Sequence, residues 1–251
     1  MGKKGIYVGT SGWVYKHWQG IFYPKNMNST DYLKFFAQEF KTVEINSSFY
    51  HLPTAGTFSK WKDSVPGDFI FSVKVSRFIT HIKRMKNIEE PWKRFYTNAS
   101  ELGNKLGPFL LQFPKSFKQK PENLERLENF FNFTGIRNKF ACEFRDPEWR
   151  NEQVYNLLKK YDCAWVIADS SGFPKSETVT AQFVYIRMHG RKNPLYTSAG
   201  MKKQAEKIES FLAQNVEVYV YFNNDTRGYA IKNARQIVNF LKTSPEIIDK
   251  V

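Results

Sequence analysis

The stretch FVYIRMH, residues 183–189, has the composition and the side-chain alternation of a half-polar β-strand. It is rich in β-branched and aromatic residues, and successive side chains of a strand point to opposite faces. Tyr185, Arg187 and His189 therefore share one face, and the residues between them are apolar. This pattern fits a strand of a barrel, with one face toward the axis and the other toward surrounding helices.

Seven further runs resemble this one, and amphipathic helical stretches separate them. The predicted strands are residues 6–10, 42–46, 69–75, 109–113, 140–145, 164–169, 183–189 and 216–223. The predicted helices are residues 30–40, 57–64, 92–106, 123–133, 153–161, 201–214 and 229–242. The alternation predicts an α/β protein with a parallel sheet.

Eight strands in 251 residues predict a single (β/α)₈ TIM-type barrel that spans residues 1–251 as one domain. An open doubly wound sheet is the alternative. The segment SSGFPKSETVTAQ, residues 170–182, has no apolar period of 3.6 residues, so the helix after the sixth strand is predicted to be reduced or absent.

Side-chain alternation also predicts which residues face the barrel axis. The polar residues placed there are Glu44, Asn46, Lys74, Gln112, Glu143, Arg145, Asp169, Arg187, His189 and Asn223. They crowd toward the carboxyl ends of the strands, where barrel enzymes build their sites. The outward-facing residues Val73, Cys142 and Val166 are predicted to be buried beneath helices.

Seven ordered segments resemble the YecE-like family of bacterial proteins. They are GTSGWVYKHWQGIFYP from Gly9, FKTVEINSSFYHLP from Phe40, FSVKVSRFITH from Phe71, LGPFLLQFP from Leu106, EFRDPEW from Glu143, YIRMHGR from Tyr185 and YFNNDTRGYAIKNA from Tyr221. The resemblance implies a one-domain TIM-type barrel. The family has no established activity, so the chemistry has to be argued from the residues.

An anionic ligand is the first expectation, because barrels commonly bind phosphate beyond the seventh and eighth strands. The residues predicted to bind substrate there are Arg187, Arg191, Asn223, Asn224 and Asp225, with Lys74, Arg145, Asn46 and Gln112 around the mouth. The turn GTSGW adds Ser11 and Trp13, the latter as a stacking surface. A formal charge of +14 favours anionic small molecules or nucleic acid as partners, with a lysine-rich solvated surface as the alternative.

Four residues are candidates for acid–base catalysis: Glu44, Glu143, Asp169 and His189. The alternative is a buried ion network in which these carboxylates neutralise Lys74, Arg145 and Arg187. The same four residues would be the ligands of a divalent metal, but the sequence has no HExxH or DxD motif, so neither a metal nor another cofactor is assigned.

The residues together favour a hydrolase that acts on a phosphodiester, a phosphorylated sugar or a nucleotide. One alternative is a glycoside-type hydrolase that uses Glu44 and Glu143. Another is a nucleic-acid or polyanion binding protein without turnover. No secretory leader and no apolar run of membrane-spanning length are visible in the sequence, which predicts a cytoplasmic protein without a membrane partner.

Overall fold

The computed structural model describes residues 5–135, 138–170, 176–190 and 195–242. Its strands are β1 (Ile6–Thr10), β2 (Thr42–Ile45), β3 (Ile70–Lys74), β4 (Leu106–Phe113), β5 (Phe140–Phe144), β6 (Cys163–Asp169), β7 (Phe183–Met188) and β8 (Glu217–Phe222). They form a parallel eight-stranded sheet in the order β1-β8-β7-β6-β5-β4-β3-β2. All eight predicted strands are present, with ends that differ by a few residues.

Helices alternate with the strands along the chain. They are α1 (Tyr32–Phe36), α2 (Ser47–Tyr50), α3 (Ala55–Asp63), α4 (Glu89–Ala99), α5 (Pro121–Thr134), α6 (Glu152–Lys160), α7 (Ser198–Ala213) and α8 (Tyr229–Lys242). Seven correspond to predicted helices, and the single turn of α2 is additional. Between β6 and β7, residue 170 and residues 176–182 contain no helix, as predicted for the part of this segment that the structure describes.

The barrel closes between β1 and β2. Ser11 forms a parallel bridge with Glu44, and the Gly12 N–H donates to the Glu44 carbonyl oxygen at 2.8 Å. At Gly9, a Cβ atom would lie 2.0 Å from the carbonyl oxygen of Thr42, so only glycine allows the two strands to approach this closely. The TIM-type barrel is thereby confirmed over the open sheet, whereas the extent of the domain, residues 1–251, stays a prediction.

Tyrosines fill the part of the barrel interior that lies toward the amino-terminal ends of the strands. Tyr185, Tyr219 and Tyr221 are buried there beside small or aliphatic residues of β4, β5 and β6. The Tyr221 hydroxyl lies 2.7 Å from both the Thr42 and the Ser72 hydroxyls, so its polar end is satisfied. The interior is thus apolar at the amino-terminal end and becomes polar toward the carboxyl ends of the strands.

The orientation of β6 differs from the prediction. Val166 packs in the interior with the tyrosines, while Trp165 and Ile167 belong to the outer core beneath the helices. The alternation of a strand therefore turns Asp169 away from the axis, into a separate cleft that it lines with Ile167 and Lys207. The predicted inward placement of Asp169 and outward placement of Val166 are wrong, whereas Val73 and Cys142 lie in the outer core as predicted.

The volumes of the side chains inside and outside the barrel explain the orientation of β6. The inner face of β6 carries small or short side chains, Ala164, Val166 and Ala168, because bulky tyrosines of β7 and β8 occupy the space opposite. Trp165 needs the outer layer, where it packs against Phe144 and Tyr155. The prediction relied on Asp169, the one acidic residue at the end of β6, and this residue alone does not show which face of an apolar strand points to the axis.

Candidate active site at the barrel mouth

Arg187 is the centre of the polar layer and is only 1% exposed. Its guanidinium donates to Glu44 through Nε at 3.0 Å and Nη2 at 2.8 Å, and to Glu143 through Nη1 at 2.7 Å. The planar fork of arginine suits this kind of multidentate contact with carboxylates. One cation therefore joins the carboxylates of β2 and β5 across the barrel, which is one part of the larger ion network that the sequence offered as an alternative.

Other side chains donate further hydrogen bonds to the carboxylates of Glu44 and Glu143. Glu44 accepts hydrogen bonds from the Ser11 hydroxyl and the Tyr185 hydroxyl, each at 2.7 Å. Glu143 accepts one from the Gln112 amide and lies 3.3 Å from His189 Nε2. Each buried carboxylate thus has the several partners that an ionised group requires away from water.

Both carboxylates are held in the ionised form. Burial would raise the pKa of Glu44, but the Arg187 guanidinium and the hydroxyl donors bring it below its ordinary value. Burial likewise opposes ionisation of Glu143, yet Arg187 and His189 hold the pKa of that carboxyl well below its usual range. Neither glutamate is therefore protonated at neutral pH.

His189 lies between Glu143 and the rim. Its Nε2 faces the Glu143 carboxylate, and its Nδ1 lies 3.1 Å from the Asn223 side-chain amide nitrogen. Two groups face Nε2: the Glu143 carboxylate at 3.3 Å, which only accepts, and Arg187 Nη1 at 3.5 Å, which only donates. The shorter contact with the carboxylate places the proton on Nε2, and Nδ1 then accepts from Asn223. This is the orientation that a carboxylate gives to a histidine base.

Above this layer lies a cavity of about 510 Å³, and cationic side chains contribute much of its wall. The residues that line it are Tyr15, Asn46, Phe49, Tyr50, Lys74, Arg77, His81, Gln112, Arg145, Arg187 and Asn223. None of these described residues is acidic. Glu44 and Glu143 lie below the cavity and face Arg187, so a ligand in the cavity would meet mainly positive charge.

Lys74 is the most enclosed of the cavity's lysine and arginine side chains after Arg187, with 8% of its surface exposed. Its Nζ lies 4.0 Å from the centre of the Phe49 ring. Burial, with Arg187 and Arg145 nearby, lowers the pKa of Lys74 to about 8, against the opposing effect of Glu44 and Glu143. Burial, with Lys74 and the Arg145, Arg77 and Arg84 guanidinium groups nearby, lowers the pKa of His81 to about 4, so that imidazole is neutral at pH 7.

The family model described as "Protein of unknown function DUF72" matches residues 7–250. The chain belongs to the DUF72 family. This confirms the resemblance to YecE-like proteins that the seven sequence segments predicted.

Relatives of the DUF72 chain extend over most of its length. The UPF0759 protein YunF of Bacillus subtilis is 25% identical, over 94% of both chains. The UPF0759 protein YecE of Escherichia coli is 26% identical, over 69% of this chain and 64% of its own. The crystal structure of a DUF72 family protein from Thermotoga maritima is 31% identical, with a TM-score of 0.86 over 95% of this chain and 99% of that one.

The DUF72 mouth brings together most, but not all, of the residues predicted for the site. Those that meet around Arg187 or line the cavity are Ser11, Glu44, Asn46, Lys74, Gln112, Glu143, Arg145, His189 and Asn223. Asp169 is not among them, for the reason given above. Arg191 lies outside the described residues.

Three other predicted binding residues point elsewhere. Trp13 is 6% exposed and packs edge-on against Trp61 at 5.1 Å between ring centres, so its ring belongs to the core. Asn224 donates to the Asn233 side chain of α8 at 2.9 Å. Asp225 accepts from the Trp18 indole at 2.6 Å and lies 3.0 Å from His17 Nε2, where it fixes the loop after β1 to the loop after β8.

Sequence reasoning missed Phe49, Arg77 and His81 as members of the cavity. Phe49 belongs to α2, and the other two residues follow β3, His81 in a short π-helical turn, Phe78–Ile82. They do not lie on strands, so side-chain alternation does not reveal them. Their position directly after β2 and β3 was the available signal, because loops at the carboxyl ends of strands surround a barrel mouth.

No helix among the described residues has the length and apolar composition needed to cross a membrane. Nor do the described residues contain a group of three or more histidine, cysteine, aspartate or glutamate side chains placed to hold a metal ion. At the mouth, Glu44 and Glu143 both face Arg187, and Asp169 points away from them. The ligand set considered from the sequence is therefore not assembled in this arrangement.

Proposed function

We propose that the mouth of this DUF72 barrel binds an anionic substrate and that the protein hydrolyses it, with a phosphodiester, a phosphorylated sugar or a nucleotide as the substrate class. The cavity wall carries the proposal: Lys74, Arg77 and Arg145 line it, and no described lining residue is acidic. Lys74 is buried, Arg145 is half-buried and Arg77 is exposed. The buried ammonium attracts phosphate or carboxylate more strongly than an exposed one would, because water screens it less.

Lys74 supports anion binding most directly. Among the described residues, no hydrogen-bond acceptor holds its Nζ, which packs on Phe49 instead. The side-chain oxygen of Asn46 is likewise buried without a hydrogen-bond partner among the described residues, so it would accept from a substrate hydroxyl. A phosphorylated sugar or nucleotide offers both the anion and the hydroxyl that these two groups require.

Hydrolysis would use the His189–Glu143 pair. Glu143 accepts the Nε2 proton and fixes the imidazole, which leaves Nδ1 as the basic atom toward the rim. A water molecule that displaced the Asn223 amide from Nδ1 would be placed for deprotonation there. The role of Glu143 is then to orient His189 and to stabilise its protonated form, as the carboxylate does in a catalytic triad.

The glycoside-type alternative receives less support from the same residues. It requires one of Glu44 and Glu143 to be a protonated acid while the other is ionised. Arg187 contacts both glutamates and lowers the pKa of both, so neither is a ready proton donor at neutral pH.

Calorimetry with inorganic phosphate and with a short oligonucleotide, each at two salt concentrations, tests the binding step. We expect Lys74→Met to weaken phosphate binding by about 1.5–3 kcal/mol, the range of a charge-assisted hydrogen bond. Lys159→Ala is the matched control, since Lys159 is exposed in the last turn of α6, at the amino-terminal end of the barrel. Equal affinity for wild type and a folded Lys74→Met protein would contradict the anion site.

Turnover is tested separately with bis(4-nitrophenyl) phosphate, a chromogenic phosphodiester. Glu143→Gln should abolish hydrolysis because glutamine cannot stabilise a protonated His189. Its fold must be checked first, since the change removes one of the two counter-ions of Arg187. Phosphate binding without hydrolysis of any phosphoester would instead support the binding protein without turnover.

A further inference from the structure

Two lysines of this chain are buried to the same extent but differ in their surroundings. Lys74 and Lys105 are each 8% exposed. The Lys105 Nζ donates to the carbonyl oxygens of Lys62 and Val65 at 2.6 and 2.7 Å, as expected for a structural ammonium. The Lys74 Nζ has no such acceptor among the described residues and lies against the Phe49 ring at the wall of the cavity.

The charged and titratable groups around Lys74 are two carboxylates, two guanidinium groups and an imidazole, and the carboxylates and guanidinium groups have opposite effects on its pKa. They are Glu44 from β2, Glu143 and Arg145 from β5 and the residue after it, Arg187 from β7, and His81 from the turn after β3. The two carboxylates are already paired with Arg187, and His81 is neutral at pH 7. Burial and the nearby guanidinium groups therefore oppose protonation of Lys74 more than the carboxylates support it, which gives its pKa of about 8.

A lysine with a lowered pKa has more of its side chain as the free amine near neutral pH, and the free amine is the nucleophile. Lysines that form Schiff bases are activated by desolvation or by a neighbouring cation, and Lys74 has both. Its place at the carboxyl end of β3 exposes Nζ to the cavity where barrel enzymes bind substrate.

We propose that Lys74 forms a Schiff base with an aldehyde or ketone that carries a phosphate or carboxylate group. The anionic group of such a compound would be held by the cations of the mouth, so the substrate class rests on the proposed anion site. The covalent step goes beyond hydrolysis and requires neither His189 nor a bound metal.

The step is balanced without an oxidant or a reductant. The ammonium of Lys74 loses a proton, and the free amine attacks the carbonyl carbon to give a carbinolamine. The released proton returns to the carbinolamine hydroxyl, which leaves as water when the carbon–nitrogen double bond forms. The product is a protonated imine with the same net charge as the starting ammonium.

Pyridoxal 5′-phosphate, an aldehyde with a phosphate group, serves as the probe on the intact protein. The imine is reduced with borohydride, and each modified lysine is quantified by mass spectrometry after digestion, over pH 6.5 to 10.5. With a pKa of about 8, Lys74 has a neutral fraction at pH 7.5 roughly two-hundredfold larger than that of an ordinary lysine. Since intrinsic nucleophilicity falls with pKa, we expect modification at Lys74 at least about tenfold faster than at the exposed Lys159.

The pH profile identifies a lowered pKa without any variant. The rate at Lys74 should level off near pH 8 to 9, while the rate at Lys159 continues to rise toward pH 10.5. Inorganic phosphate should slow the reaction at Lys74 and leave Lys159 unaffected. Lys74→Arg should lose the adduct at this position, while labelling of Lys159 in the same variant continues.

The outcomes distinguish this inference from the proposed function. Slower labelling at Lys74 than at Lys159, in a protein that binds phosphate, overturns the Schiff base and leaves the anion site in place. Fast labelling with the expected profile, in a protein that phosphate neither binds nor protects, supports the reactive amine and overturns the anion site. A Lys74 profile that rises only toward pH 10.5 also overturns the inference.

Discussion

Replacement of Arg187 by methionine tests the central ion network. Methionine keeps much of the side-chain volume but removes three charge-assisted hydrogen bonds to Glu44 and Glu143. Breaking a buried ion pair by removing one partner costs about 3–5 kcal/mol, because a charge remains buried without compensation. Two carboxylates lose their cation here, but each keeps other donors, so we expect a loss in this range and not twice as much.

The stability lost in Arg187→Met should become smaller as the pH falls from 7 to 5. In the wild type, Glu44 and Glu143 have lowered pKa values, so their contribution to stability is present above the unfolded value of about 4.3 and is lost as the pH falls through the folded pKa values. In Arg187→Met, burial without the guanidinium raises both pKa values. The folded variant then binds protons more readily than the unfolded chain, so its deficit should shrink between pH 7 and pH 5.

Urea unfolding at pH 7 and pH 5 measures both effects. Arg235→Met is the matched control, since Arg235 also pairs with a glutamate, Glu39, but is about half exposed. Exposed pairs of this kind contribute about 0–1 kcal/mol. Adding Glu44→Gln and Glu143→Gln to Arg187→Met should recover much of the lost stability. A deficit below 1 kcal/mol, or one that does not change with pH, would refute Arg187 as the counter-ion of both glutamates.

Three further changes test the fold by chemical unfolding. Val73→Asp should destabilise by about 3–5 kcal/mol, because Val73 is fully buried in the outer core and an aspartate there has no partner; unchanged melting would contradict that placement. Trp13→Ala should lose about 3–5 kcal/mol of stability yet keep phosphate affinity, since the ring packs on Trp61 away from the cavity. Gly9→Ala should lose at least about 1–3 kcal/mol, because its Cβ would overlap the Thr42 carbonyl oxygen; wild-type stability would argue against closure at this point.

The sequence predicted the barrel and most of its polar interior because, in most strands, the alternation of polar and apolar residues shows which side chains face the barrel axis. In β2 and β7, and in β5 together with Arg145 just after it, polar and apolar residues alternate over at least two positions, so Glu44, Glu143 and Arg187 could be placed on the inner face with no other information. In β6 both faces are apolar until its last residue, Asp169. The face of such a strand depends on which volumes fit against the neighbouring tyrosines, and that is known only after the barrel has closed.

The sequence also could not predict which cation of the mouth pairs with Glu44 and Glu143. The alternation placed Arg187, Lys74 and Arg145 on the inner face of their strands, but it did not determine which cation meets the carboxylates. That choice depends on the relative register of β2, β5 and β7, which brings the Arg187 fork within 2.7–3.0 Å of both glutamates. Trp13 was misplaced for a related reason, since an aromatic residue after a strand faces either the ligand or the core, and only tertiary packing decides between them.

The pairing of Arg187 has a consequence for the chemistry of the whole mouth. Because the Arg187 guanidinium pairs with both carboxylates, those glutamates remain ionised, and Lys74 in the cavity wall is not the partner of either one. Had Lys74 been the partner of Glu44 or Glu143, its pKa would have risen and its amine would be an ordinary structural ammonium. The ion network thus explains both halves of the proposed site: an oriented His189 on the Glu143 side, and a lysine of lowered pKa above Phe49 on the opposite wall.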